Sequence, residues 1–97
     1  MKNIFIDAEA EHELSESMRF YEQREPGLGL TFARAAREAV QTIQAAPERS
    51  PLRNDGTRRF LMERFPFVIH YVELENTISV LAFAHTSRRP GYWRRRL

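Results

Sequence analysis

The chemistry this sequence offers most plainly is that of arginine set among aromatic rings. Arg88, Arg89, Arg94, Arg95 and Arg96 crowd together, with Tyr92 and Trp93 between them. A guanidinium is planar, forked and always charged, so it suits phosphates and carboxylates. An aromatic ring beside it can stack on a base or anchor a protein contact. Arg58, Arg59 and Arg64 extend the same positive character upstream, and His85 stands just ahead of the cluster. Imidazole titrates near neutrality and suits a general base. His85 can equally bond the backbone and order the turn that follows it. Cleaving RNA without a metal needs a base, an acid and cations around the phosphate. For that chemistry, Arg64, His85, Arg89 and Tyr92 are the residues available. His70 lies in an apolar stretch and reads as a core or partner-facing residue, and His12 as a solvated one. Three scattered histidines with no cysteine give no metal-ligand spacing, so neither metal nor cofactor is expected. No phosphate-binding glycine loop and no nucleophile elbow is present.

Charge is divided unevenly. Residues 1–48 carry five cations against nine carboxylates, net −4; residues 49–97 carry ten against four, net +6. All of the 15 cations except Lys2 are arginine. A basic half of this kind is expected to face something anionic, either nucleic acid or an acidic protein. With 97 residues the chain has room for one domain, and 42% hydrophobic residues suffice for a modest core. The absence of cysteine excludes disulfides and fits a cytoplasmic location. No apolar run approaches the roughly 20 residues of a membrane helix. The first residues turn acidic too soon for a signal peptide.

These side chains must be positioned by elements whose periodicity can be read directly. Asn3–Ile6 reads as a short strand. Asp7 can cap a helix carrying Glu9 and Glu11 in its first turn and Ala10, Leu14, Met18 and Tyr21 at helical spacing. That helix should stop near Arg24, ahead of Pro26. A second helix is predicted from about Leu28 to Ala46, with Phe32, Ala35, Ala36, Ala39, Val40 and Ile43 on its apolar face. Residues 47–57 read as a loop. Strands are predicted over Arg58–Arg64, Phe67–Glu73 and Thr77–His85, linked tightly enough for an antiparallel meander. Phe67, Ile69 and Tyr71 share one face of the middle strand and Val68, His70 and Val72 the other; both are largely apolar, which makes that strand central. Arg88–Leu97 reads as a polar tail. The expected architecture is α+β, in the order β-αα-βββ. A twisted, mostly antiparallel sheet has the helical hairpin on one face, leaving the other free for a partner.

This order, in fewer than 100 residues, resembles the RelE/ParE superfamily of type II toxins. Phe20-Tyr21-Glu22 with Pro26-Gly27-Leu28-Gly29 and Phe32 is similar to the hairpin junction of ParE-like proteins. Ile43 with Ala46-Pro47-Glu48 is similar to the end of their second helix. Arg58-Arg59 and Arg64 through Tyr71 resemble their central strands, and His85 through Trp93 their C-terminal signature. The resemblance covers nearly all of residues 1–97 and implies a cytoplasmic bacterial toxin, of the plasmid-stabilisation kind, that arrests growth until a cognate acidic antitoxin neutralises it. ParE-like members poison DNA gyrase without catalysis of their own. RelE-like members cut mRNA on the ribosome, and these place an arginine near the position of Val68 and carry a lysine-rich patch, neither of which this sequence has. The resemblance therefore implies a gyrase inhibitor first, a ribosome-dependent mRNA endoribonuclease second and a non-toxic partner-binding homologue third. It implies target contacts through Arg58, Arg59, Arg64, His85, Arg88, Arg89, Tyr92, Trp93 and Arg94, and antitoxin contacts through Leu14, Met18 and Tyr21.

Overall fold

A computed structural model describes residues 1–97. Strand β1 (Asn3–Ile6) leads through Asp7 into helix α1 (Ala8–Arg24). The Asp7 carboxylate accepts the Glu9 N–H at 2.8 Å, which satisfies one of the unpaired donors at the helix start. Helix α2 (Leu28–Ala45) returns antiparallel after a turn at Gly27, whose φ of 89° suits glycine. Gly27 has no side chain to cap α2, and Glu22 of α1 supplies the cap, accepting the N–H groups of Gly27 and Gly29 at 3.0–3.1 Å. The helices approach so closely at Gly29 that a Cβ there would lie 2.6 Å from the Met18 carbonyl oxygen. The Pro-Gly-Leu-Gly junction is thus a device for tight helix packing.

After a 3-10 turn at Pro47–Arg49, three strands follow: β2 (Arg58–Leu61), β3 (Phe67–Glu73) and β4 (Thr77–His85). The sheet order is β1-β4-β3-β2, with β1 parallel to β4 and the other pairs antiparallel. Strand β3 is central, as its two apolar faces require. Strand β2 is shorter than the pattern suggested. Met62 still donates its N–H to Phe67 at 2.9 Å, but the chain then turns through residues 63–66, so Arg64 lies in the turn and not on a strand.

The hairpin covers one face of the sheet. Phe32, Ala36, Ala39 and Ile43 of α2 and Ala10 of α1 meet Phe67, Ile69, Tyr71, Ile78, Val80 and Phe83 in one core. Phe32, Tyr21, Phe65 and Phe67 form its aromatic end, with ring centroids 4.9–6.3 Å apart. Tyr71 is buried, and its hydroxyl donates to the Pro47 carbonyl at 2.7 Å, tying the loop after α2 to β3.

The second face was expected to stay open, and it does not. A bulge between His70 and Tyr71 pairs His70 with Ala82 and Tyr71 with Val80, leaving Leu81 without a partner in the register. Leu81 and Ala82 then join Trp93 in a second, small core, with Val72 and Tyr92 against it. The residues after β4 fold back over the sheet, and Trp93 is 3% exposed. The polar tail read from the sequence is therefore a structural layer, held down by its own aromatic residues.

Candidate functional site

The segment after β4 is shaped first by His85. Its Nδ1 accepts the Ser87 backbone N–H at 3.0 Å and lies 2.7 Å from the Ser87 hydroxyl, which sets the turn. Gly91, at φ 76°, reverses the chain again, and a Cβ there would collide with the Arg94 guanidinium. Trp93 then lies flat on His70, with centroids 4.4 Å apart and 27° between planes. Burial under that ring, with Arg59 and then Arg53 nearby, lowers the His70 pKa from 6.5 to about 4. Its Nδ1 is buried without a hydrogen-bond partner.

Beyond Trp93 the arginines turn inward, contrary to the expectation of one outward-facing cationic cluster. Arg96 is nearly buried, 6% exposed in its side chain, and forks onto Glu13 at 3.0 and 3.1 Å. It also donates to Glu9 at 3.1 Å and to the Leu81 carbonyl at 2.9 Å. Arg95 pairs with Glu9 at 2.7 Å and Arg94 with Asp55 at 3.3 Å. The Tyr92 hydroxyl donates to Glu13 at 2.6 Å, and burial followed by that bond pushes its pKa well above the ordinary tyrosine range. Glu13 also accepts the Phe83 N–H at 3.1 Å, so one carboxylate joins α1, β4 and the returning segment. Two hydrogen bonds from Thr57 hold Asp55 down at about 2. Arg58 is likewise internal: it lies 3.5 Å from Glu73 and donates to the Ser50 carbonyl at 2.5 Å. The charge difference between the two halves is partly consumed within the molecule, because carboxylates of α1 neutralise arginines of the returning segment.

Nine arginines remain outside any ion pair, and four of them gather in one place. Arg53, Arg59, Arg88 and Arg89 are exposed, and none forms an ion pair. Together with His70, His85, Tyr92, Trp93 and Arg94 they line a groove of about 150 Å³ on the second face of the sheet, floored by Val68 and Ala84. Arg53 and Arg59 come from β2 and the loop before it; Arg88 and Arg89 come from the returning segment. Arg88 also lies over the Tyr92 ring, 3.8 Å from its centroid. Of the nine residues read from the sequence as target contacts, seven reach this groove, while Arg58 and Arg64 do not. Arg64 lies on the opposite side, in a depression with Ala35, Glu38 and Phe60. Leu14, Met18 and Tyr21 pack against the main core, and each borders a different depression. His12 is exposed, and no three metal-ligating side chains converge.

Sequence reasoning missed Arg53, Glu9, Glu13 and Asp55. Arg53 sits alone in a loop with no periodicity to mark it. Glu9 and Glu13 lie four residues apart on α1, hence on one face, and that spacing was the available signal.

The neutral His70 carries a pH prediction. Between pH 6.5 and about 4 an undocked His70 takes up a proton that the stacked one refuses, so stability must fall as pH falls through that window. The loss should be on the order of 2 kcal/mol. Asp55 adds a loss of the same sign at lower pH, between its ordinary 3.8 and about 2. Trp93, the single tryptophan, reports the docking directly. Urea midpoints read by its fluorescence should drop between pH 7 and 4.5, and His70→Phe, which keeps an aromatic ring, should flatten that drop. An unaltered pH dependence in the variant would show that His70 is not its source.

Neither a protein-family model nor a curated protein matches this sequence. Among solved structures, the chain is similar to one described as the chromosomal ParDE TA system from P. aeruginosa. The two share 20% identity over 88% of this chain and 96% of that one, with a TM-score of 0.78. The likeness shows a shared fold: two helices on a four-stranded mixed sheet, a ParE-like architecture.

Proposed function

We propose that this chain is the toxin of a type II toxin–antitoxin pair and that it acts by gripping DNA gyrase, without catalysis of its own. The reading rests on the ParE-like fold together with one feature of the groove: four of its cations are free, whereas Tyr92 and His70 are engaged. The Tyr92 hydroxyl is committed to Glu13, His70 is capped by Trp93, and His85 uses Nδ1 to order its turn. Val68, near where the RelE-like nucleases place an arginine, is buried in the groove floor. Four unpaired guanidiniums, beside a Tyr92 hydroxyl and a His70 ring that are both engaged, make a surface suited to holding an anionic partner.

A cognate antitoxin of acidic character completes the reading. The groove between α1 and the sheet, bordered by Phe20, Tyr21, Phe67 and Phe83, offers an amphipathic segment its apolar footing, and Arg88 stands at that groove's rim. Electrostatic steering should make their association slow as salt rises.

The test is DNA supercoiling by purified gyrase with increasing amounts of this protein. Inhibition that the co-purified antitoxin reverses is the expected result. Supercoiling that proceeds unchanged at large molar excess defeats the gyrase reading. Codon-phased mRNA cuts after induction would replace it with ribosome-dependent cleavage, and normal growth on expression of the chain alone would remove the toxin reading altogether.

A further inference from the structure

The groove on the second face differs from the rest of the surface in how many unpaired cations it gathers: Arg24, Arg34, Arg37, Arg49 and Arg64 are also exposed outside any ion pair, but none of them lines it. Arginines 94 to 96 and Arg58 are neutralised within the molecule, whereas Arg53, Arg59, Arg88 and Arg89 converge on one groove with no carboxylate paired to any of them. Two come from the β2 side and two from the returning segment, with the buried floor of Val68 and Ala84 between them. An arrangement of this kind neutralises successive charges along a polyanion.

The choice of polyanion follows from what the groove lacks. An acidic peptide docks as an amphipathic element and needs apolar pockets beside the charges. Here the floor is sealed, and the apolar groove lies elsewhere, between α1 and the sheet. Single-stranded nucleic acid needs open aromatic faces on which bases stack. Here the Trp93 ring is covered by His70 and the Tyr92 ring by Arg88. A phosphodiester backbone asks for neither pockets nor stacking platforms.

We infer that the groove binds the phosphate backbone of double-helical DNA, without reading its sequence, through Arg53, Arg59, Arg88 and Arg89. The inference deepens the proposed gyrase reading, on which its biological meaning rests: the toxin touches the DNA that gyrase holds as well as the enzyme.

Binding to a fluorescein-labelled 20-base-pair duplex, followed by anisotropy from 20 to 200 mM NaCl, tests this. Four phosphate contacts predict a slope of log K against log salt of about −3.6, and a loss of roughly 100-fold between 50 and 200 mM. Arg59→Gln/Arg89→Gln should lower the slope by about 2 on every duplex sequence tried. Arg34→Gln/Arg37→Gln, which removes the same charge from exposed positions of α2, should leave it near the parent value. Far-UV circular dichroism confirms that each variant is folded. No binding at 20 mM salt, equal slopes for the two variants, or displacement by poly-glutamate as effective as by unlabelled duplex would each overturn the inference. Gyrase inhibition is scored separately on the same proteins. Duplex binding without gyrase inhibition removes the gyrase reading and leaves the groove assignment standing; inhibition without duplex binding does the reverse.

Discussion

Glu13→Ala should destabilise the protein by about 3–5 kcal/mol, the loss expected when one partner of a buried ion pair is removed. Glu13 is 13% exposed and Arg96 only 6%, so neither can recover much solvation when the other is deleted. The same carboxylate accepts the Tyr92 hydroxyl and the Phe83 N–H, and both donors lose their partner in the variant. Most of the loss is the penalty of an orphaned charge rather than the net worth of the pair. A cycle with Arg96→Met should therefore show a coupling of at least ~1 kcal/mol, with the double variant less damaged than the sum of the singles. Urea unfolding followed both by circular dichroism and by Trp93 fluorescence checks this. Trp93 should be released at lower urea than the helices in the Glu13 variant, because the returning segment loses its anchor first. Equal midpoints for parent and variant would mean that the carboxylate is no anchor. The Arg95–Glu9 pair is far more exposed and should be worth less than about 1 kcal/mol.

Phe32→Ala should cost about 3–5 kcal/mol through the cavity it leaves. Phe32 is fully buried and packs against Tyr21, Phe65 and Phe67, rings from α1, from the turn after β2 and from β3. Collapse to fill the space is opposed from two sides. Gly29 holds the helices at backbone contact near one end, and β3 is pinned at the other by the Tyr71–Pro47 bond. Against a stability of about 5–15 kcal/mol for a domain of this size, such a loss removes a large share of the total. The thermal midpoint of the purified variant measures it. A shift corresponding to less than about 1 kcal/mol would show that the aromatic end of the core repacks freely.

The two variants probe different layers. Phe32 serves the hairpin and the sheet, whereas Glu13 fastens the returning segment on which half of the groove depends. A loosened segment moves Arg88 and Arg89 without disturbing the core. Glu13→Ala is thus also expected to weaken partner binding while leaving helix content close to that of the parent.

The elements were legible because their signals are local. Apolar spacing at Leu14, Met18, Tyr21 and along Phe32 to Ile43 marked the helices, a short apolar run marked β3, and Pro26, Gly27 and Pro47 marked the ends. The centrality of β3 could also be read, since both of its faces are apolar. The end of β2 could not. Arg58 through Arg64 holds an apolar block, Phe60-Leu61-Met62, between charged residues with no turn former among them, and only the turn that brings Phe67 back onto Met62 takes Arg64 out of the strand.

Residue types and spacing alone determined the two helices, the strand order along the chain and the presence of an arginine-rich, aromatic-bearing segment after the last strand. Which arginines are free was decided only by tertiary structure. Each guanidinium carries the same charge in the sequence, and what distinguishes Arg96 from Arg89 is whether a carboxylate some 80 residues away in the chain comes within hydrogen-bond reach once the chain is folded. The bulge that turns Leu81 toward Trp93 and the Glu9–Glu13 face of α1 together draw the segment onto the sheet. Electrostatic partnership depends on distance in space, and a linear pattern does not contain that distance.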